Sequence, residues 1–175
     1  LMISEGIPIS PAGRGYSLTP GIYSDAQIDG WCLVCRAVRK AGGKIFAQLW
    51  HVGRRSHPSI SGCQPLAPSA LKVPDQVYGP IEEGGYGSVE TAVPKSMTLD
   101  DIRATKSDFC QAASNAIEAG FDGVEIHGAH GYLLDQFLQS ASNERDDEYG
   151  GGIENRCRFV IEVCQQVANT IGANK

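Results

Sequence analysis

Short apolar segments alternate with longer amphipathic segments along this chain, and this alternation constrains the fold more than any other feature. The amphipathic segments place apolar residues three and four positions apart, which predicts helices over residues 25–41, 98–119 and 153–171. The apolar segments are short and follow turn residues, which predicts buried strands over residues 1–3, 44–50 and 123–127. Strands that alternate with helices are typical of a parallel sheet covered by helices, in an open α/β fold or in a barrel.

The ends of the predicted helices carry start and stop residues. Ser24 and Thr98 are suited to cap the first two helices, because a hydroxyl can accept a hydrogen bond from the first turn. Gly42, Gly120 and Gly172 follow the last apolar residue of each pattern, where glycine commonly ends a helix. Residues 52–97 contain six of the nine prolines and no sustained periodicity, so we predict a long loop there.

The length of the chain limits how much of a barrel it can form. About three strand–helix units are present, whereas a (β/α)₈ barrel takes about 250 residues for eight units. The chain is therefore a small open α/β domain or part of something larger, and its apolar first residue leads us to expect an upstream start. In a partial barrel we expect Ile45, Ala47 and Leu49 to lie on an uncovered inner face, which favours association or a partly molten state.

Charge and hydropathy exclude two classes of partner. The 15 basic and 20 acidic residues give a net charge of −5 with no basic run, which argues against nucleic acid. The apolar runs are far shorter than the roughly 20 residues that cross a bilayer, and no signal-peptide pattern opens the chain. Five of the six cysteines lie in amphipathic segments, so we expect reduced core thiols and a cytoplasmic protein.

Polar residues stand where two predicted strands end, and parallel α/β proteins bind ligands at that edge of the sheet. Gln48 lies in an otherwise apolar strand, where a buried amide needs partners for both its donor and its acceptor. The second strand runs into His127, His130 and Tyr132, which are separated by small residues. We therefore predict a functional site at this edge, although Gln48 could instead bind only loop backbone.

The residues alone leave several roles open for this group. His127 and His130 could bind a metal with Glu125 as a third ligand, as in a metal-dependent α/β hydrolase. They could instead donate hydrogen bonds to a developing oxyanion, or merely cap the next helix. Tyr132 could deliver a proton to a group that the histidines hold, or be a half-buried aromatic whose hydroxyl meets water.

Six segments spread over the whole chain share one family pattern: residues 3–5 (ISE), 13–16 (GRGY), 19–24 (TPGIYS), 48–54 (QLWHVGR), 119–133 (AGFDGVEIHGAHGYL) and 147–151 (DEYGG). They resemble the Old Yellow Enzyme family of FMN-dependent ene-reductases. The histidine pair, in place of a histidine and an asparagine, resembles most the 12-oxophytodienoate reductase and bacterial ene-reductase branches.

The resemblance implies a partial TIM (β/α)₈ barrel, about three units of the eight, and an oxidoreductase that uses FMN and NADPH. Hydride passes from the flavin to the β-carbon of an α,β-unsaturated carbonyl compound, an enone such as an oxylipin like 12-oxophytodienoate. By the family pattern His127 and His130 hold the carbonyl oxygen and Tyr132 protonates the α-carbon. Gln48 and the backbone at Gly6 lie against the flavin, and because the family usually has alanine or glycine at position 6, the match there is a permissive one.

The resemblance leaves two hypotheses that differ in completeness. In one, the chain is the central part of an active ene-reductase. In the other, it is a truncated product that binds no FMN and is inactive, because the family's phosphate-binding loops have no counterpart in this sequence.

Overall fold

The structure, a computed structural model, describes residues 1–82 and 84–175. The strands, in chain order, are β1 (Met2–Pro8), β2 (Ile45–Trp50), β3 (Leu66–Ala67), β4 (Gln76–Pro80), β5 (Tyr86–Glu90), β6 (Lys95–Ser96) and β7 (Gly123–Ile126). The helices are α1 (Asp25–Lys40), α2 (Pro58–Ser61), α3 (Leu99–Ala119), α4 (Leu133–Leu138) and α5 (Ile153–Ile171), with a 3₁₀ turn at Pro11–Gly13.

The central sheet is parallel, with β2 between β1 and β7. Its register aligns Gly6 of β1 with Gln48 of β2, and Gln48 with Glu125 of β7. Because the strands are parallel, their carboxyl ends and the loops that follow them meet at one edge. That edge holds the residues that the sequence predicts to be functional.

Helix α3 packs between α1 and α5 and lies over β2 and β7. Its N-terminus is a capping box in which Thr98 accepts a hydrogen bond from the Asp101 backbone and Asp101 accepts one from the Thr98 backbone. It ends at Gly120, whose φ of +96° is a left-handed conformation that glycine adopts without steric cost. These local features hold α3 over the sheet, with Phe109 fully buried in the core.

The expectation for the apolar residues of β2 is wrong. Ile45, Ala47 and Leu49 are buried in the same core cluster as Phe109 and Ala113 of α3. Side chains alternate between the two faces of a strand, so these three residues share the face that the helices cover. Phe46 and Gln48 alternate with them and are only partly buried. The open face of the sheet is therefore the one that bears Gln48.

The first strand is longer than predicted. It runs to Pro8 rather than ending at residue 3, with an irregularity in its register between Ile3 and Gly6. Ser4, Glu5 and Gly6 interrupt its apolar pattern, which is why the sequence suggested a loop from residue 4. The extension carries Gly6 to the position beside Gln48.

The segment 52–97 is not one continuous loop. It contains α2, the short parallel pair β3 and β6, and the antiparallel hairpin of β4 and β5. Two-residue strands are too short to show a period in the sequence, and alternation in the hairpin is obscured by glycine and proline. The hairpin is joined to the rest of the fold by a backbone hydrogen bond from Ser17 to Tyr78.

Two further expectations, on membrane-spanning segments and on the cysteines, can be compared with the structure. Within residues 1–82 and 84–175, no helix is long and apolar enough to span a membrane. The six cysteines are free, but only Cys35 is buried, while Cys63 and Cys164 are exposed. The prediction of core thiols is therefore wrong for Cys164, which is an exposed residue of α5.

Candidate active site

A cavity of about 350 Å³ opens at the carboxyl edge of the central sheet. The structure brings all five predicted site residues together in its lining, which consists of Glu5, Gly6, Thr19, Gln48, Trp50, His127, His130 and Tyr132. Strands β1 and β2 supply one side, and the loop between β7 and α4 supplies the other. The sequence placed these residues at strand ends, and the parallel sheet makes them neighbours.

Gln48 is held by the neighbouring strand. Its amide nitrogen donates a hydrogen bond of 2.8 Å to Glu125 Oε1, across the register pair of β2 and β7. The amide oxygen has no hydrogen-bond partner among the described residues, so it is free to accept one from a group in the cavity. The backbone of Gly6 lies on the other side of Gln48 in the same row.

At Gly6 the Trp50 ring occupies the space that a side chain would need. A Cβ atom at residue 6 would lie 2.5 Å from Cε3 of Trp50 and 2.7 Å from Cδ2. Only 8% of Trp50 is exposed to solvent, so its ring has little room to move. The absence of a side chain at residue 6 is therefore what lets the Trp50 ring lie against β1.

His127 presents a hydrogen-bond donor at one defined nitrogen. Its Nδ1 accepts a hydrogen bond of 3.4 Å from the Ala129 backbone, which leaves the proton of the neutral ring on Nε2. Burial, followed by the nearby His130 ring, lowers the pKa of His127. The ring is therefore neutral near pH 7 and can still donate through Nε2.

His130 lies on a strained turn beside His127. Its φ of +59° is unusual for a residue other than glycine and costs about 1 kcal/mol, and Gly131 follows with a φ of +72°. The two imidazole rings meet edge to face, with centroids 5.3 Å apart. Backbone strain of this kind clusters at functional sites, and here it brings the exposed His130 ring back toward His127.

Tyr132 is a protonated phenol packed between two rings. Its ring meets those of Trp50 and His127 edge to face, at centroid distances of 4.9 and 5.1 Å. Its hydroxyl is hydrogen-bonded to that of Tyr16 at 3.2 Å. Burial, and then the hydrogen bond with Tyr16, raise the pKa of the Tyr132 phenol, so it keeps its proton and can donate it.

Three residues at this site were missed from the sequence. Trp50 was assigned to the core of its strand, yet its ring lies near parallel to those of Tyr16 and His127 at centroid distances of 5.7 and 6.1 Å. Tyr16 was noted only within a family pattern, although the glycines around it could have indicated an exposed turn. Arg55 lies over the ring of Tyr132, and nothing in its sequence context indicates that contact.

Beside this cavity, His51 is a buried histidine with a structural role. Its Nδ1 accepts a hydrogen bond of 3.0 Å from the Gly53 backbone, and its backbone oxygen accepts one from Leu133. Nε2 therefore carries the proton, and it has no partner among the described residues. Burial lowers the pKa of His51 to about 4, so the ring is neutral at pH 7.

The donor set does not resemble a metal site. Across residues 1–82 and 84–175, no three histidine, cysteine, aspartate or glutamate side chains are grouped so that they could hold a metal ion. Glu125, which was considered as a third ligand, binds the Gln48 amide instead.

The cavity suits one end of a flavin better than the other. The pyrimidine edge of a flavin has both donors and acceptors, which the amide of Gln48 can match, and Gly6 lines the same cavity. A phosphate group needs cationic side chains or a ring of backbone N–H groups. The lining contains no lysine or arginine, so these residues fit the ring system and not the phosphate.

Comparisons with known proteins agree with this geometry. The model of the NADH:flavin oxidoreductase / NADH oxidase family matches residues 1–175. The rice (Oryza sativa subsp. japonica) protein named 12-oxophytodienoate reductase 7 is 46% identical over 177 residues, covering all of this chain and 44% of the rice protein. Morphinone reductase in complex with tetrahydroNAD is 47% identical, with a TM-score of 0.96 over 99% of this chain and 49% of its own.

A second solved structure extends the likeness to a bacterial protein. The Old Yellow Enzyme homologue from Zymomonas mobilis is 45% identical, with a TM-score of 0.92 over 99% of this chain and 48% of its own. The chain thus spans slightly less than half the length of the relatives that it matches.

Proposed function

Because the chain belongs to the NADH:flavin oxidoreductase / NADH oxidase family, we propose that it forms the substrate-binding part of an ene-reductase. The reaction is reduction of the C=C bond of α,β-unsaturated carbonyl compounds, with FMN as cofactor and NADPH as reductant. The observation that supports this proposal most is the convergence of two imidazoles and one protonated phenol on a single cavity beside Gln48.

The histidines would bind the carbonyl oxygen of the substrate. Hydride addition to the β-carbon places negative charge on that oxygen, so donors fixed there stabilise the transition state more than the ground state. His127 offers its Nε2 proton, since Nδ1 already accepts a hydrogen bond, and the strained His130 turn places the second ring beside it. Neither ring has to be charged to act in this way.

Tyr132 would complete the reaction by giving its proton to the α-carbon. When bound, FMN would supply the hydride that it has taken from NADPH, so the product gains one hydride and one proton. The ring contacts with Trp50 and His127 restrict the motion of the phenol, and Tyr16 can pass a proton back through their hydrogen bond. A general acid of this kind contributes about 10²–10⁴-fold to the rate.

Gln48 and Gly6 would face the cofactor. The Gln48 amide is oriented by Glu125, which leaves its oxygen available for a flavin N–H, and Gly6 lies beside Gln48 in the same row of the sheet. We further propose that the three-stranded sheet is part of a (β/α)₈ barrel and that the enzyme acts in the cytoplasm. Its enone could be an oxylipin such as 12-oxophytodienoate, the compound for which the rice relative is named.

The proposal is tested in a full-length chimera in which this chain replaces the equivalent half of morphinone reductase. Tyr132→Phe removes the proton and keeps the ring, so we expect the enone half-reaction to slow by about 10²-fold or more. Reduction of FMN by NADPH should stay within about twofold of the unsubstituted chimera, because no proton from Tyr132 is needed in it.

Rapid-mixing absorbance spectroscopy of the flavin separates the two half-reactions. Tyr86→Phe is the matched control, since Tyr86 is an exposed tyrosine of the β4–β5 hairpin. Equal loss in both half-reactions, or no loss in either, would show that Tyr132 is not the proton donor.

The lack of cationic side chains in the cavity favours a second proposal, that the 175-residue chain by itself is FMN-free and inactive. We expect titration of FMN into the isolated chain to leave the flavin fluorescence unchanged, while the chimera quenches it. Tight binding by the isolated chain would exclude this second proposal.

A further inference from the structure

Arg55 joins three separate segments around the candidate active site. Its guanidinium carbon lies 5.4 Å from the centroid of the Tyr132 ring, within the range of cation–π contacts. One terminal nitrogen donates to the backbone oxygen of His130 at 3.4 Å, and the other is paired with the carboxylate of Asp75. The loop after β2, the loop after β7 and the residue before β4 therefore meet at one side chain.

Asp75 is itself firmly placed, so the pair can act as a fixed support. Its other carboxylate oxygen accepts a hydrogen bond of 2.8 Å from the Gln76 backbone, and its backbone oxygen accepts one from the Thr91 backbone, directly after the returning strand of the hairpin. An arginine suits this position, because its planar group can bind a carboxylate, donate to a carbonyl and lie on an aromatic ring at once. A lysine could supply the charge but not all three contacts.

The neighbouring arginine shows that this placement is specific. Arg54 points elsewhere and donates to the backbone oxygen of Leu71 at 3.2 Å. Arg55 is only partly exposed, with 29% of its side chain accessible, so its charge is not fully screened by water.

We propose that Arg55 is a positioning residue that holds the Tyr132 phenol and the His130 turn in their reactive arrangement, with Asp75 as its support. This inference rests on the proposed function for the role of Tyr132 as the proton donor. The cation also stabilises the negative charge that appears on the Tyr132 oxygen when the proton leaves. The groups around this phenol are Tyr16, Arg55, Asp75, His127 and His130, of which Arg55 is the permanently charged cation.

The test uses the full-length chimera with Arg55→Met, Arg55→Lys and Asp75→Asn. Arg55→Met keeps the length of the side chain and removes its charge and hydrogen bonds, so we expect the enone half-reaction to slow by about tenfold. FMN reduction by NADPH should not change. Arg55→Lys should restore part of the rate of the enone half-reaction, because it keeps the charge. Asp75→Asn should lower that rate, because it loosens the support of Arg55.

A second measurement does not depend on turnover. The ring resonance of Tyr132 is followed at neutral pH by NMR of ¹³C-labelled tyrosine, with Tyr132→Phe to assign it. Arg55→Met should move that resonance, because the cation over the ring is lost, and Arg55→Lys should return it toward its original position. Arg103→Met is the control, since it removes a similar arginine–aspartate pair at the exposed start of α3.

The two measurements separate the inference from the proposed function. If Arg55→Met matches Arg103→Met in both the enone half-reaction and the Tyr132 resonance, the positioning role is excluded. If the unsubstituted chimera reduces no enone but Arg55→Met still shifts the Tyr132 resonance, the proposed function fails while the coupling of Arg55 to Tyr132 stands.

Discussion

The buried histidine His51 should make the fold sensitive to mild acid. Burial lowers the pKa of His51 to about 4 in the folded chain, from an ordinary value of 6.5. Between these values the unfolded chain binds a proton that the folded chain does not, so stability falls as the pH decreases below 6.5 and levels off below about 4. The full difference corresponds to about 3 kcal/mol, of which about 2 kcal/mol is lost by about pH 5.

Urea unfolding of the 175-residue chain, followed by tryptophan fluorescence, measures this loss. His51→Asn is the informative variant, because Oδ1 of asparagine stands where Nδ1 stood and can still accept the hydrogen bond from Gly53. The smaller side chain lowers stability at every pH, but it cannot take up a proton. The quantity to compare is the decrease in the free energy of unfolding from about pH 7.5 to about pH 5. We therefore expect this decrease to be about 2 kcal/mol smaller in His51→Asn than in the original chain.

His57→Asn is the matched control for that experiment. His57 caps α2 by accepting a hydrogen bond of 3.2 Å from the Ser59 backbone, a role that asparagine also fills well. Groups common to all three proteins, such as Asp108 with its pKa raised by burial, cancel in the comparison. The reasoning is refuted if His51→Asn loses as much stability between the two pH values as the original chain and His57→Asn.

Two further substitutions test the packing of the site. Gly6→Ala should displace the Trp50 ring and lower the free energy of unfolding by about 1–3 kcal/mol. In a Trp31→Phe background the displacement should be seen as a shifted Trp50 fluorescence emission. An unshifted spectrum would mean that β1 moves instead. Gln136→Met should cost about 2–4 kcal/mol in urea unfolding, because the buried amide binds Val52 O, Gly131 O and the Arg54 backbone. The exposed Gln139→Met on the same helix end is the control, and equal effects of the two would contradict the role given to Gln136.

The helices could be predicted because their determinants are local. The capping residues Ser24 and Thr98 stand directly before the periodic segments, and the structure has capping boxes at both. The β3–β6 pair has no such determinant, since Leu66 of one two-residue strand pairs with Lys95 of the other across a long stretch of chain. Its stability comes from that long-range pairing and from the packing of Leu66 against the core, neither of which a short window of sequence contains.

The same distinction separates the predicted site residues from those that were missed. Gln48, His127 and Tyr132 follow or end strands, and parallel strands must bring their carboxyl ends to one edge, so their proximity follows from the order of elements. Arg55 gains its importance from the Tyr132 ring and from Asp75, two contacts that depend on how separate loops fold over that edge. The same holds for Gly6, where the Trp50 ring decides which side chain fits. The sequence therefore indicates which residues line the cavity, while the residues that hold them in place emerge only from packing between loops.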